Sequence, residues 1–78
     1  MQGMKVFQVG DRVQWSWGEG EAVGVIQEII KEPITLELRG TMVRCEGSEE
    51  DPAFLIRQDD GDELVKRSSE VEHVTRTD

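Results

Sequence analysis

Tyrosine is absent from this chain, and the remaining aromatics are two Trp and two Phe among 78 residues. Four rings must serve both the core and any surface contact, which leaves little for a complete aromatic cage. Cysteine and histidine occur once each, as Cys45 and His73. One cysteine excludes an internal disulfide, and the two residues together fall short of the roughly four nitrogen or sulfur ligands of a structural zinc. They are also the sole nucleophile-and-base combination, with no nucleophile elbow or oxyanion segment around either, so catalysis is not expected. No apolar run approaches the roughly 18 residues of a membrane helix. The N-terminus, Met1-Gln2-Gly3-Met4-Lys5-Val6-Phe7, has no apolar core followed by a small-residue cleavage site. A cytoplasmic location, away from membranes, is the expectation. Basic residues are few, nine against 17 acidic, and the net charge of −8 opposes phosphate backbones and anionic lipid surfaces.

What is present is the composition of a folded domain, 36% hydrophobic and 33% charged. A chain this short forms one domain and buries only about 60% of the surface its unfolded form exposes. A deep enzyme cleft would consume most of such a core, which favours a binding or scaffolding module. The hydrophobic pattern has period two. Val13, Trp15 and Trp17 share one face of an extended run, Arg12, Gln14 and Ser16 the other, and Ala22, Gly24 and Ile26 repeat the parity on the return. Gly18 and Gly20 mark the connector. Val9-Gly10-Asp11 suits the turn that feeds the first strand, with Asp11 as a local acceptor. Gly24 inside the second strand predicts a bulge or the close approach of another strand. The inward parity slips at Gln27-Glu28, which one bulge would explain.

Pro33 ends the second strand. Ile34, Leu36 and Leu38 alternate as a third, Arg39-Gly40 is a kink or a tight turn, and Thr41-Met42-Val43-Arg44 resumes an extended run. Glu46 to Pro52 reads as a polar surface loop, with Ser48 and Asp51 spaced as at the start of a short helical turn. Ala53 to Gln58 is the fourth strand, Asp60-Gly61 a hairpin signal, and Glu63 to Lys66 the return. Ser68-Ser69-Glu70-Val71 reads as one capped helical turn, with Val71 and Val74 closing the end of the barrel. Residues 1–8 read as a loosely held segment and 9–75 as the domain.

The sequence resembles the hypervirulence-associated Tudor-domain family, small bacterial domains of unknown function. The resemblance rests on Gly10-Asp11-Arg12-Val13, Trp15, the Gly18/Gly20/Ala22/Gly24/Ile26 spacing, Gly40, Arg44, Ser48, Pro52-Ala53-Phe54, Ile56, Gly61, Val65-Lys66 and Ser69-Glu70. Phe54 stands where the family often has Tyr. The resemblance implies an all-β fold, a small five-stranded Src-homology-3-like barrel of the Tudor type. It also implies a shape that commonly binds peptides, sometimes through methylated side chains.

Several local patterns have bland explanations. Gly18-Glu19-Gly20-Glu21-Ala22-Val23-Gly24 misses the dinucleotide fingerprint by one position and no helix follows, so it reads as a hairpin connector. Asp59-Asp60-Gly61-Asp62-Glu63 lacks the ligand spacing of a calcium loop. Arg44 reads as the ion-pair anchor of the acidic loop that follows it. No metal and no cofactor is expected. The candidate ligand-binding residues are Trp17 and Phe54, as an aromatic pair at the barrel rim, bordered by Glu19, Glu21, Glu49 and Asp51; the alternative is that both rings cap the core of so small a barrel. Such a ledge would suit a cationic side chain, so the expected function is a non-enzymatic module that recognises a protein or peptide, a basic one included. The competing readings are a nucleic-acid-associated small barrel and a structural oligomerisation domain. Dispersed basic residues argue against the former. Labelled RNA or DNA, single- or double-stranded, should give no anisotropy change at low salt, and a micromolar, salt-sensitive change would reverse that reading.

Overall fold

The computed structural model describes residues 6–74. Seven strands and one 3-10 turn follow in order: β1 Arg12–Trp17, β2 Gly20–Ile30, β3 Pro33–Leu38, β4 Thr41–Glu46, β5 Ala53–Gln58, β6 Glu63–Arg67, the turn Ser68–Glu70, and β7 Glu72–His73. Five of the strands form an antiparallel sheet in the order β6-β5-β2-β1-β7, and β3 pairs with β4 in a second sheet of two strands. The all-β expectation is met, whereas the closed five-stranded barrel is not. The 3-10 turn carries the chain from one edge of the large sheet to the other, but β6 and β7 do not pair. The extra strands have a local cause. Arg39 and Gly40 both adopt positive φ, +55° and +82°, the backbone of a tight two-residue hairpin turn. Thr41–Glu46 therefore pairs back on β3 along its whole length instead of extending β3.

β2 is the longest strand, and it is paired on both sides. Its first half faces β1, from Trp17↔Gly20 to Arg12↔Val25, and its second half faces β5, from Gly24↔Gln58 to Ile30↔Ala53. The register shifts between Ile26 and Glu28, which is the bulge that the slipped parity implies. One extra residue rotates the side chains that follow, so Ile26 and Ile29, three apart, both turn to the same core while Ile30 turns to the other face. The close approach expected at Gly24 is also present. A β-carbon there would collide with the Ile56 side chain and lie 2.9 Å from the Arg57 carbonyl oxygen.

Two apolar clusters result, one on each face of the β5 region. The larger joins Val13, Trp15, Ala22, Ile26, Phe54, Ile56 and Val71, with Phe7, Ile29 and Leu64 against it. The smaller joins Ile30, Cys45 and Ala53, with Ile34, Leu36 and Val65. The β3–β4 hairpin thus covers the second face of the sheet, and an ion pair between Arg39 and Asp62 links its tip to the β5–β6 turn. Of the segment 1–8, residues 1–5 lie outside the described residues. Phe7 precedes the Val9 boundary read from sequence, yet its ring packs 5.0 Å from that of Phe54 and 4.3 Å from that of His73.

Shorter elements follow from local chemistry. The Gln8 N–H donates to Asp11 Oδ2 at 2.9 Å, the acceptor role expected of Asp11. Asp62 N–H donates to Asp60 Oδ1 at 2.9 Å and Gly61 takes φ +93° in the β5–β6 turn. Arg67 N–H donates to Glu70 Oε1 at 2.8 Å, which caps the 3-10 turn. The loop before β5 forms no helical turn; Asp51 N–H donates to Ser48 Oγ at 3.0 Å and the segment only bends. Among the described residues no helix is long and apolar enough to cross a membrane.

Gly47 is buried where a β-carbon would strike the Ile30 carbonyl and lie 3.0 Å from Ala53 N, whereas a β-carbon at Gly20 would meet open space. Gly47→Ala should therefore lower stability by about 1–3 kcal/mol through overpacking. Gly20→Ala should change it by less than about 0.5 kcal/mol. Urea midpoints at unchanged slope measure both, and equal midpoints would contradict the packing at Gly47.

Candidate binding surface

The β1–β2 hairpin ends on Gly18-Glu19, with Gly18 at φ +55° and Trp17 opposite Gly20. A positive φ at the first of two turn residues is where glycine costs least. Trp15 and Trp17 share a face of β1, but their surroundings differ. Trp15 is 5% exposed and packed in the larger core, while Trp17 is 66% exposed. The reason lies across the ladder: Trp15 faces Ala22 next to the core, and Trp17 faces Gly20, which has no side chain to cover it. Glu19 and Glu21 are exposed on the same hairpin. Glu19 lies in the same turn as Trp17, whereas Glu21 pairs with Ser16 and so points to the face of the hairpin opposite Trp17.

Phe54 is not part of that group. It is 0% exposed, and it faces Ile29 on β2 where Trp17 faces Gly20, about 30 Å apart along the strand. The expected aromatic ledge does not exist. Phe54 lies on a strand buried on both faces, with Phe7 against its ring, so its position beside a loop does not place it on the rim. Phe54 has no polar group to satisfy, which suits this burial.

Asp51 is a structural acceptor. Ser68 Oγ donates to Oδ1 at 2.7 Å, Ser69 N–H to Oδ1 at 2.9 Å, and Ser69 Oγ to Oδ2 at 2.9 Å, with the Arg67 guanidinium 4.0 Å away. The Ser68 hydroxyl first, and then the Ser69 groups and Arg67, hold its carboxyl below the ordinary value of 3.8, against an opposing effect of burial that is second only to Ser68. Glu49 lines a different hollow of about 670 Å³ with Val6, Phe7, Glu50 and Pro52. Arg44 pairs with Glu46 two residues along β4, Nε to Oε2 at 2.7 Å. The expected anchoring of the acidic loop thus reaches only its first residue.

Neither Glu70 nor Glu72 was among the candidate site residues read from sequence, yet with Glu21, Gln14, Trp15 and Ser16 they line a hollow of about 110 Å³. The pairing Gln14↔Glu72 brings them there, and the Glu-Val-Glu alternation around buried Val71 was its only local sign. Cys45 is buried with Ile30 and Ala53, and burial, with Glu46 adding and Arg44 opposing, pushes its thiol pKa up. His73 sits elsewhere, Nε2 3.1 Å from Asp11 Oδ2 and stacked on Phe7. The two do not form a nucleophile and base. Among the described residues no group of three or more His, Cys, Asp or Glu is placed to hold a metal ion.

A twisted antiparallel sheet in the order β6-β5-β2-β1-β7, with a 3-10 turn before the last strand, defines a Tudor-type β-domain. The chain belongs to the hypervirulence-associated protein Tudor domain family, whose sequence profile matches residues 10–71. Tudor-like domains are generally non-catalytic binding modules. No curated protein and no solved structure matches the chain.

The depressed pKa of Asp51 makes a signed prediction. A carboxyl with a lowered folded-state pKa contributes stability that is complete above its unfolded pKa and is lost as pH falls through the folded one. Asp51→Asn should cost roughly 1–3 kcal/mol at neutral pH through lost charged hydrogen bonds. The gap between wild type and variant should hold from pH 7 to about 5 and shrink below 3.8. Urea melts across that range measure it; a gap that persists undiminished to pH 2.5 would remove Asp51 from this role.

Proposed function

We propose that the domain is a non-catalytic cytoplasmic binding module that takes a basic segment of a partner protein at the β1–β2 hairpin. The single observation that carries the reading is Trp17, 66% exposed, on a hairpin that also carries Glu19 in its turn and Glu21 on its other face. An indole face attracts a lysine ammonium or an arginine guanidinium by about 0.5–1 kcal/mol at an exposed site. The hairpin carboxylates and the net charge of −8 raise the local concentration of a cationic partner and speed its encounter. One ring makes a shallow contact, so affinity would come from a segment with several basic residues spread over the acidic hairpin.

The separation of Trp15 from Trp17 provides the assay. A Lys-rich peptide titrated into the protein should produce a saturable change in tryptophan emission that weakens as salt rises. Trp17→Ala should abolish the response, and Glu19→Gln with Glu21→Gln should weaken it several-fold. Denaturant melts should show Trp17→Ala within about 0.5 kcal/mol of wild type, against about 3–5 kcal/mol lost by Trp15→Ala. An unaltered response in Trp17→Ala, or a large stability loss in that variant, would refute the assignment.

A further inference from the structure

Among the described residues, β3 has a hydrogen-bonded neighbour on one side only. In the β3–β4 ladder Leu38 faces Thr41 across the two-residue turn, and the pair that closes such a turn is hydrogen-bonded. Ladder alternation then directs the backbone N–H and C=O of Leu38, Leu36 and Ile34 towards β4, and those of Thr35 and Glu37 towards the open edge. From Ile34 to Leu38 this edge has no Lys, Pro, Gly or bulge, the devices that usually blunt an exposed strand. The edges of the five-stranded sheet are guarded. β7 is two residues long, and β6 carries Lys66 and Arg67 beside the Arg44–Glu46 pair of β4. A sheet of two strands is also marginal by itself in water.

We propose that β3 pairs antiparallel with β3 of a second copy of this chain, converting two hairpins into one four-stranded sheet. A single register satisfies every constraint. Leu36 faces Leu36 of the second copy on the two-fold axis, Ile34 faces Leu38, and Thr35 and Glu37 form the two hydrogen-bonded pairs. Registers of opposite parity would put apolar side chains on the solvent face. A shift of two residues in one direction sets Glu37 against Glu37; in the other it sets Pro33, which has no N–H, at a ladder position. The favoured register aligns the half-buried stripe of Ile34, Leu36 and Leu38 with its copy and opposes no like charges. The edge is thus self-complementary, as an isologous interface requires. This interface is independent of the reading of Trp17.

Sedimentation equilibrium of the full chain, from low to high micromolar and at two salt concentrations, tests the proposal. The expected result is a monomer–dimer equilibrium that tightens with salt, because each copy carries a charge of −8 and salt screens their repulsion. Thr35→Glu should weaken the dimer roughly tenfold or more by opposing Glu37 at both symmetric pairs. Thr35 faces Arg44 within the monomer, so the same change does not weaken the hairpin, and an unchanged urea midpoint at monomeric concentration separates the effect from unfolding. Thr35→Lys should tighten the dimer. A wild-type chain that stays monomeric at high salt and high micromolar concentration overturns the proposal, as does a Thr35→Glu variant that dimerises as wild type does.

Discussion

The double pairing of β2 is the constraint on which the other elements depend. It binds β1 with its first half and β5 with its second, and the two partners overlap at Gly24 and Val25. Both ladders must cross there, so the β5 backbone presses on Gly24 at a distance that no side chain tolerates. The bulge past Ile26 then exchanges the faces of the strand. Without that exchange Ile29 would leave the larger core and Ile30 the smaller one. The two clusters would lose their shared strand.

Polar satisfaction ties the second half of the chain to this frame. A carboxylate between β4 and β5 collects two hydroxyls and a backbone N–H from the 3-10 turn, and Ser68 N–H donates to the Pro52 carbonyl at 2.8 Å. These bonds fix where the chain leaves β6 and so where β7 meets β1. Val71, buried in the larger core, is placed by the same turn. Among the described residues no buried side-chain nitrogen or oxygen lacks a partner, which accords with a core built from apolar residues and with charge kept at the surface.

The surface that remains is shaped by where the core runs out. Trp17 is exposed because its cross-strand neighbour is a glycine, and β3 is open because its hairpin lies across the sheet without joining either ladder. Both features come from short connections: Gly18-Glu19 in one hairpin and Arg39-Gly40 in the other. In a domain of this size the turns decide which apolar groups the core can reach.

Much of the strand plan was legible in the sequence because β-structure writes a local record. Alternation marked β1, the first half of β2 and β3, Asp60-Gly61 marked the last hairpin, and the slipped parity at Gln27-Glu28 marked the bulge; each depends on residues close together in the chain. Alternation put Trp15 and Trp17 on one face, and it was the ladder that separated them, with Ala22 opposite one and Gly20 opposite the other. The sequence left Phe54 open between core and rim, because its burial comes from Phe7 and Ile29, far along the chain, and from a strand covered on both faces. Asp51 looked like a free acidic group until the serines of the 3-10 turn, Ser68 and Ser69, were brought to it. Closure of the barrel was likewise a tertiary matter. Sequence determined the strands and their faces through side-chain parity, whereas only the packing of distant segments decided that the β3–β4 hairpin stays apart from the five-stranded sheet, since hydrogen-bond partners across a turn and across the fold compete for the same backbone groups.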